Sequence, residues 1–109
     1  MRHVGFFFAR VAPLSQSDIS RALKDTAGWR TEKNEICRDF EFRDFKQALL
    51  FMNAVADVCE ALQHHPCWTN TYNKIHVRLT THDAGNRVTQ KDIDLAKRMN
   101  DIFTKTLNN

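Results

Sequence analysis

Hydrophobic and polar residues alternate with two different periods along this chain of 109 residues. In three stretches the apolar side chains recur every three or four residues, which is the period of an amphipathic helix. These positions are Ile19, Ala22 and Leu23, then Phe45, Leu49, Met52, Val55, Cys59 and Leu62, and finally Ile93, Ala96, Met99, Ile102 and Phe103. Four shorter stretches, residues 29–32, 35–42, 68–72 and 74–81, predict strands joined in two hairpins. The order αββαββα predicts an α+β fold, a four-stranded antiparallel sheet with three helices on one face.

Residues that favour helix ends bound the three predicted helices. Ser15, Asp44 and Thr89 precede the helices, and each can accept a hydrogen bond from a backbone N–H of the first turn. Gly28 suits the left-handed turn that ends a helix. Pro66 disfavours the helical conformation of the residue before it, so the second helix is expected to end before the proline.

Composition indicates one globular domain. Hydrophobic residues make up 42% of the chain and charged residues 27%, which is close to ordinary globular proteins and far from disordered ones. We expect a single domain over residues 14–109, preceded by an N-terminal arm over residues 1–13. The formal charge of +3 is spread along the chain and does not indicate a nucleic-acid partner. Asn53, Asp57 and Glu60 make the second helix too polar for a membrane span.

The cysteines and the N-terminal arm bear on the compartment. Three cysteines without a CxxC pair are typical of free thiols in a reducing cell interior, so we expect a cytoplasmic protein. The arm carries two arginines and no acid before Asp18, a faint similarity to organellar import signals. Its short apolar run from Val4 to Phe8 is better explained by packing on the domain or on another subunit.

Four of the five histidines lie within residues 60–83, around the predicted joint between helix and sheet. If the second hairpin turns at Asn73–Lys74, His65 lies opposite His82, at the same end of the sheet as His64. The hairpin topology therefore predicts three imidazoles around one cavity.

Three interpretations of such a cluster remain open from the residues alone. Histidine titrates near neutral pH, so neighbouring imidazoles suit the delivery and removal of protons in one step. Three imidazoles with Asp83 or Cys67 could instead bind zinc, although the spacings HxH and HExxH are absent. A polar turn whose histidines satisfy backbone groups is the third interpretation. Serine-nucleophile signatures, a P-loop and GxGxxG are absent from the sequence.

Three segments of the sequence closely resemble one known family. The segments "EALQHHPCW", "YNKIHVRLTTHD" and "DIDLAKRMNDI" are similar to the pterin-4a-carbinolamine dehydratase family, and the likeness runs from about Leu14 to Leu107. The resemblance implies the fold derived above. It also implies dehydration of 4a-hydroxytetrahydropterin to quinonoid dihydropterin plus water, a step in tetrahydrobiopterin recycling, with no metal or organic cofactor.

The resemblance also implies roles for particular residues. His64, His65 and His82 match the family's catalytic histidines; we expect His64 and His82 to be the acid–base groups and His65 to hold the pterin and its leaving hydroxyl. The same correspondence predicts that the substrate is lined by Pro66, Thr81, Asp83 and Ala84. Asp92 matches a family acid near the pocket, although helix capping explains it equally well.

Further side chains near the histidines are less clearly assigned. Glu60, one helical turn before His64, either orients an imidazole or is a solvated acid at the helix end. We expect Trp68 and Tyr72 to pack in the core rather than stack on the pterin. Gln63 replaces an acid of the vertebrate relatives, and the segment "DAGNRVTQ" is one residue longer than theirs, which leaves the contact of Ala84 open.

The second predicted helix has more apolar surface than one sheet face covers. We therefore expect a homodimer or homotetramer built through Asp44–Gln63. The vertebrate members of the resembled family also serve as dimerisation cofactors of a homeodomain transcription factor. The alternative function is accordingly that of a non-catalytic coactivator that binds a helix of a partner protein. For the dehydratase function, the expected partner is the pterin substrate.

Overall fold

A computed structural model describes residues 12–109, so most of the predicted arm, residues 1–11, lies outside the described residues. The helices are α1 (Gln16–Leu23), α2 (Phe45–Leu62) and α3 (Gln90–Leu107), and the strands are β1 (Arg30–Glu32), β2 (Glu35–Glu41), β3 (Cys67–Thr71) and β4 (Lys74–Leu79). A short 3-10 turn, His82–Ala84, follows β4. The strands form one antiparallel sheet in the order β1-β2-β4-β3. The predicted α+β architecture is confirmed.

The core lies between the helices and one face of the sheet. Alternate side chains of the two central strands point to this face and are buried: Ile36 and Phe40 from β2, and Ile75, Val77 and Leu79 from β4. The apolar stripes of the helices pack against them through Ile19, Ala48, Phe51, Val55, Ile93, Ala96 and Met99. The ring of Phe40 lies 4.8 Å from that of Phe51 and 5.0 Å from that of Phe103, which joins the sheet to both long helices.

The predicted capping residues occupy the starts of the three helices within residues 12–109. Ser15 Oγ accepts from the backbone N–H of Asp18 at 3.1 Å, and Asp44 Oδ1 accepts from that of Gln47 at 2.9 Å. Thr89 Oγ1 accepts from the backbone N–H of Lys91 at 3.2 Å. These contacts satisfy N–H groups that have no partner within the helix, and each cap typically contributes about 1 kcal/mol.

The end of α2 turns the chain toward the sheet. Gln63 adopts a left-handed conformation with φ of 54°, which is sparsely populated for residues other than glycine and asparagine. The backbone N–H of His64 then donates to the carbonyl of Cys59 at 3.1 Å and closes the last turn. This turn places His64 directly after the helix, at the edge of the sheet where β3 begins.

The hairpin of β3 and β4 differs from the sequence prediction by two residues. Cys67 pairs with Arg78 and Thr71 with Lys74, so the chain turns at Tyr72–Asn73 and His65 does not lie opposite His82. Two side chains explain this register: Asn70 Nδ2 donates to the carbonyls of Tyr72 and Lys74 across the turn, and Asn73 Nδ2 donates to the carbonyl of Phe42. A shift of two residues leaves every side chain on its predicted face.

Two aromatic residues of this hairpin were predicted to pack in the core. Trp68 is half-buried against the core, as predicted, but the prediction was wrong for Tyr72, whose side chain is 64% exposed. Tyr72 occupies the turn with φ of 51°, and this position directs the ring into solvent. Among residues 12–109, no helix has the length and apolar character needed to cross a membrane.

Candidate active site

Three histidines meet at the edge of the sheet where β3 begins and β4 ends. His64 follows α2, His65 precedes β3, and His82 opens the 3-10 turn after β4. Because β3 and β4 are antiparallel neighbours, the start of one and the end of the other lie side by side. A cavity of about 220 Å³ is lined there by Gln63, His64, His65, Thr80, Thr81, His82, Asp83 and Lys91. The predicted meeting of the three imidazoles is therefore observed, although the register that led to it was two residues off.

His64 is held by a buried carboxylate. Its Nε2 lies 2.6 Å from Oδ1 of Asp92; His64 is 8% exposed and Asp92 is 0% exposed. Oδ2 of Asp92 accepts from the hydroxyl of Thr81 at 2.8 Å and from the backbone N–H of Thr89 at 2.9 Å. A buried carboxylate with three donors satisfies its hydrogen-bonding needs and fixes the ring in one orientation. Because Asp92 occupies Nε2, Nδ1 is the nitrogen of His64 that can exchange a proton with a ligand.

Asp92 combines the two roles that the sequence left as alternatives. Its side chain accepts from the N–H of Thr89 and completes a capping box at the start of α3. The same carboxylate contacts His64, 28 residues earlier in the chain. Asp92 thus completes the cap of α3 and also orients the imidazole of His64 in the cavity.

His65 has an exposed carboxylate partner. Its Nε2 lies 2.7 Å from Oε2 of Glu60, and both side chains are more than half exposed. Glu60 therefore contacts an imidazole, which is one of its two predicted roles, although it remains a solvated acid at the end of α2. Such an exposed pair orients the ring but contributes little to stability.

His82 has a neutral partner within its own loop. Its Nδ1 lies 3.4 Å from Oδ1 of Asn86, a long contact between two exposed side chains. The loop is closed by backbone bonds from Thr81 N to Arg87 O at 3.0 Å and from Asn86 N to Thr81 O at 3.1 Å. Asn86 takes the left-handed conformation with φ of 59°, which asparagine tolerates better than most residues. The contact of Asn86 with the cluster was not predicted.

The other residues predicted to line the substrate have different positions. Thr81 and Asp83 border the cavity, and Thr81 is buried beneath it, where its hydroxyl supports Asp92. Pro66 and Ala84 are half-buried neighbours of the histidines and are not among the residues that line the cavity. Lys91, which was not predicted to lie at the site, does line the cavity; its position beside Asp92 at the start of α3 was the available signal.

The three cysteines and the histidines of residues 12–109 do not form a common set of metal ligands. Sγ of Cys67 accepts from Nη2 of Arg78 at 2.8 Å on the sheet face away from the helices. Within the part of the chain that the structure describes, no group of three or more His, Cys, Asp or Glu side chains is placed to share a metal ion. Burial raises the pKa of the Cys59 thiol to about 11, so this cysteine stays protonated at neutral pH and is a poor nucleophile.

A larger cavity of about 400 Å³ lies on the sheet face away from the helices, near the turn of the second hairpin. It contains His76, whose Nδ1 lies 2.6 Å from Oδ1 of Asp39. The hydrogen bond from His76 lowers the pKa of Asp39, and Arg30 acts in the same direction. With a single imidazole among its lining residues, this cavity offers less for coupled proton transfer than the smaller one does.

The fold and the smaller cavity define a class of small α+β proteins in which several histidines border one polar site. Residues 12–102 match the family model described as pterin 4 alpha carbinolamine dehydratase. The chain belongs to this family.

Relatives and a solved structure agree with this assignment. The chain is 44% identical over 89 residues to a protein of Opitutus terrae and 48% identical over 94 residues to one of Rhodopseudomonas palustris. Both are provisionally named pterin-4-alpha-carbinolamine dehydratase; the alignments cover 82% and 84% of this chain and 92% of each relative. A crystal structure of a transcriptional coactivator/pterin dehydratase from Brucella melitensis superposes with a TM-score of 0.80 at 41% identity, covering 83% of this chain and 97% of that one.

Proposed function

We propose that this protein catalyses the dehydration of 4a-hydroxytetrahydropterin to quinonoid dihydropterin and water. Family membership supports the reaction class, and the names of the relatives support the substrate. The observation that carries the proposal is the cavity bordered by His64, His65 and His82, in which each imidazole has a different oxygen partner. Such a cavity offers one imidazole to deliver a proton and another to remove one.

The proposed reaction needs one proton delivered and one removed. An acid protonates the hydroxyl on C4a, the C4a–O bond breaks and water leaves with the bonding electrons. The lone pair of N5 forms the new C4a=N5 bond, and a base takes up the ring proton. Only proton transfers are required, so the proposal involves no metal or organic cofactor.

We assign the acid to His64 and the base to His82. The buried carboxylate of Asp92 stabilises the positive charge of a protonated His64, which then donates through Nδ1. His82 faces the neutral amide of Asn86, which can accept from Nδ1–H and leave Nε2 as a proton acceptor. Proton exchange with water restores both rings after each turnover.

The remaining predicted residues bind or support in this proposal. His65, oriented by Glu60 at the rim of the cavity, holds the pterin and its leaving hydroxyl. Asp83 contacts the ring, and Pro66 and Ala84 bound the site at its margin. Thr81 acts through its hydrogen bond to Asp92 rather than on the substrate.

We also propose that the protein self-associates through α2. Apolar side chains of this helix remain exposed in the single chain, with Phe45 at 43% and Leu50 at 52%. A second copy that covers these residues buries apolar surface, which stabilises the association by about 25 cal/mol per Å².

The three free thiols, Cys37, Cys59 and Cys67, suit a reducing compartment such as the cytoplasm, where tetrahydrobiopterin recycling is the proposed context.

A coupled assay tests the proposed activity. An aromatic amino acid hydroxylase generates the 4a-hydroxytetrahydropterin, and formation of the quinonoid product is followed with and without this protein. The proposal predicts a rate above the spontaneous one that rises in proportion to protein concentration. A rate equal to the spontaneous one at micromolar protein would refute it.

A further inference from the structure

Two buried threonines extend the support of His64 beyond Asp92. The hydroxyl of Thr81 donates to Oδ2 of Asp92 at 2.8 Å, and the hydroxyl oxygens of Thr81 and Thr89 lie 2.7 Å apart. Both threonines and the carboxylate are almost fully buried. Thr89 is not among the residues that line the histidine cavity. Any effect of Thr89 on a reaction in that cavity therefore has to pass through other residues.

The hydrogen bonds of this group run in one direction. A carboxylate only accepts, so the single hydroxyl proton of Thr81 is used for Asp92. In the contact between the two hydroxyls, Thr89 is therefore the donor and Thr81 the acceptor. Oγ1 of Thr89 in turn accepts from the backbone N–H of Lys91 at 3.2 Å. A chain of donors thus leads from the first turn of α3 to the carboxylate that holds Nε2 of His64.

Such a chain restrains the carboxylate more than the contact with Thr81 alone would. Because Thr89 donates to it, the hydroxyl of Thr81 is held in place and its proton is polarised toward Asp92. Oδ2 of Asp92 is then fixed, which keeps Oδ1 facing Nε2 of His64. The hydroxyl of Thr89 can therefore control the orientation of an imidazole that it does not touch.

We infer that Thr89 is a positioning residue for His64 and acts through Thr81 and Asp92. This role differs from its cap of α3, which uses the hydroxyl oxygen only as an acceptor. The inference rests on the proposed function where it concerns the reaction, because it takes His64 as the acid. Two substitutions separate the roles by chemistry: serine keeps a hydroxyl at position 89, whereas valine keeps the shape of threonine without one.

A double-mutant cycle on the dehydration of 4a-hydroxytetrahydropterin tests the chain. Thr89→Val is expected to lower kcat about three- to tenfold with little change in KM, the loss typical of one neutral hydrogen bond. Thr89→Ser should keep a kcat near that of wild type. In a protein that already carries Thr81→Val, Thr89→Val should cause little further loss, because the link to Asp92 is then already absent. Two losses that simply multiply would overturn the inference.

Two control variants separate positioning from a general loss of stability. Thr106→Val removes a buried hydroxyl at the other end of α3, which donates to the carbonyl of Ile102 at 2.7 Å. Ser15→Ala removes the cap of α1. Both changes should lower the free energy of unfolding in urea and leave kcat near that of wild type. If the controls lower kcat as much as Thr89→Val does, the loss comes from destabilisation and the inference is wrong.

An NMR measurement without substrate separates this inference from the proposed activity. The Nε2–H proton of His64 faces Asp92, and its resonance is assigned by its absence in His64→Ala. Thr89→Val should move this resonance, whereas Thr89→Ser and Thr106→Val should leave it in place. A moved resonance in a protein whose wild type does not accelerate dehydration would overturn the proposed function and leave the positioning role standing. An unmoved resonance in Thr89→Val would overturn the positioning role alone.

Discussion

Nε2 of His64 lies 2.6 Å from Oδ1 of Asp92, and both side chains are buried. Asp92 comes from the first turn of α3, whereas His64 follows the last turn of α2, so the pair ties the ends of two helices together at the candidate site. The carboxylate is already satisfied by Thr81 and Thr89. Its geometry is thus fixed before any ligand binds, which is the condition for an imidazole to act as a positioned acid.

Replacing this carboxylate by an amide tests its role. Asp92→Asn preserves the size of the side chain but removes the charge that stabilises a protonated His64. We expect kcat to fall by about 10²-fold or more with a smaller change in KM, because an acid of this kind contributes about 10²–10⁴-fold. The amide places an NH2 group where Asp92 now only accepts, so urea denaturation should also show a free energy of unfolding lower by about 1–3 kcal/mol. Asp101→Asn, an exposed change on the same helix, is the control; a variant with wild-type kcat would show that Asp92 only caps the helix.

Self-association through α2 is tested by charging its exposed apolar face. Leu50 is 52% exposed, so Leu50→Lys should leave the fold intact and place a charge where a second copy would pack. Light scattering at micromolar concentration is expected to give an oligomer for wild type and a smaller mass for the variant. Lys97→Glu on α3 is a control for changed surface charge. A wild-type mass equal to the monomer mass of 12.7 kDa would contradict the proposal.

The contact between His76 and Asp39 on the other face of the sheet gives a pH-dependent prediction. The hydrogen bond from His76 lowers the pKa of Asp39 from its usual 3.8, so the folded state favours the ionised carboxylate. The resulting stability is fully present above the unfolded pKa and is lost as the pH falls through the lower, folded one. Asp39→Asn should therefore be less stable than wild type at pH 6, by less than about 1 kcal/mol because the pair is exposed.

Urea denaturation of wild type and Asp39→Asn at pH 6 and below pH 3.8 measures this effect. The difference in free energy of unfolding should shrink at the lower pH. A difference that stays constant would mean that the pair adds no pH-dependent stability. Dehydratase activity should be the same in both proteins, since this cavity lies away from the three histidines.

The helices were predictable because their signals are local. Ser15, Asp44 and Thr89 each cap within three residues along the chain, and the apolar stripes follow the helical period. The hairpin register was not predictable by the same means. It depends in part on Asn73, which bonds to Phe42, 31 residues away in sequence.

The candidate site was predictable only in part. The meeting of His65 and His82 follows from the antiparallel hairpin and survives a register error of two residues, because both remain at the same end of the sheet. Their partners come from other segments of the chain. Sequence spacing could not decide whether Asp92 caps α3 or contacts a histidine, and in the structure it does both. The sequence contained no signal for Asn86, because its contact with His82 depends on a left-handed loop conformation.

The rate of 4a-hydroxytetrahydropterin dehydration by single-histidine variants tests most directly whether the three-histidine cavity is the active site. His64→Ala and His82→Ala should each lower kcat by about 10²–10⁴-fold, and His65→Ala should mainly raise KM. His76→Ala is the matched control, because this histidine lies in the other cavity, paired with Asp39. Near wild-type activity is expected for His76→Ala. If all variants remain folded and His76→Ala is as damaging as His64→Ala, the reaction does not take place at the three-histidine cavity.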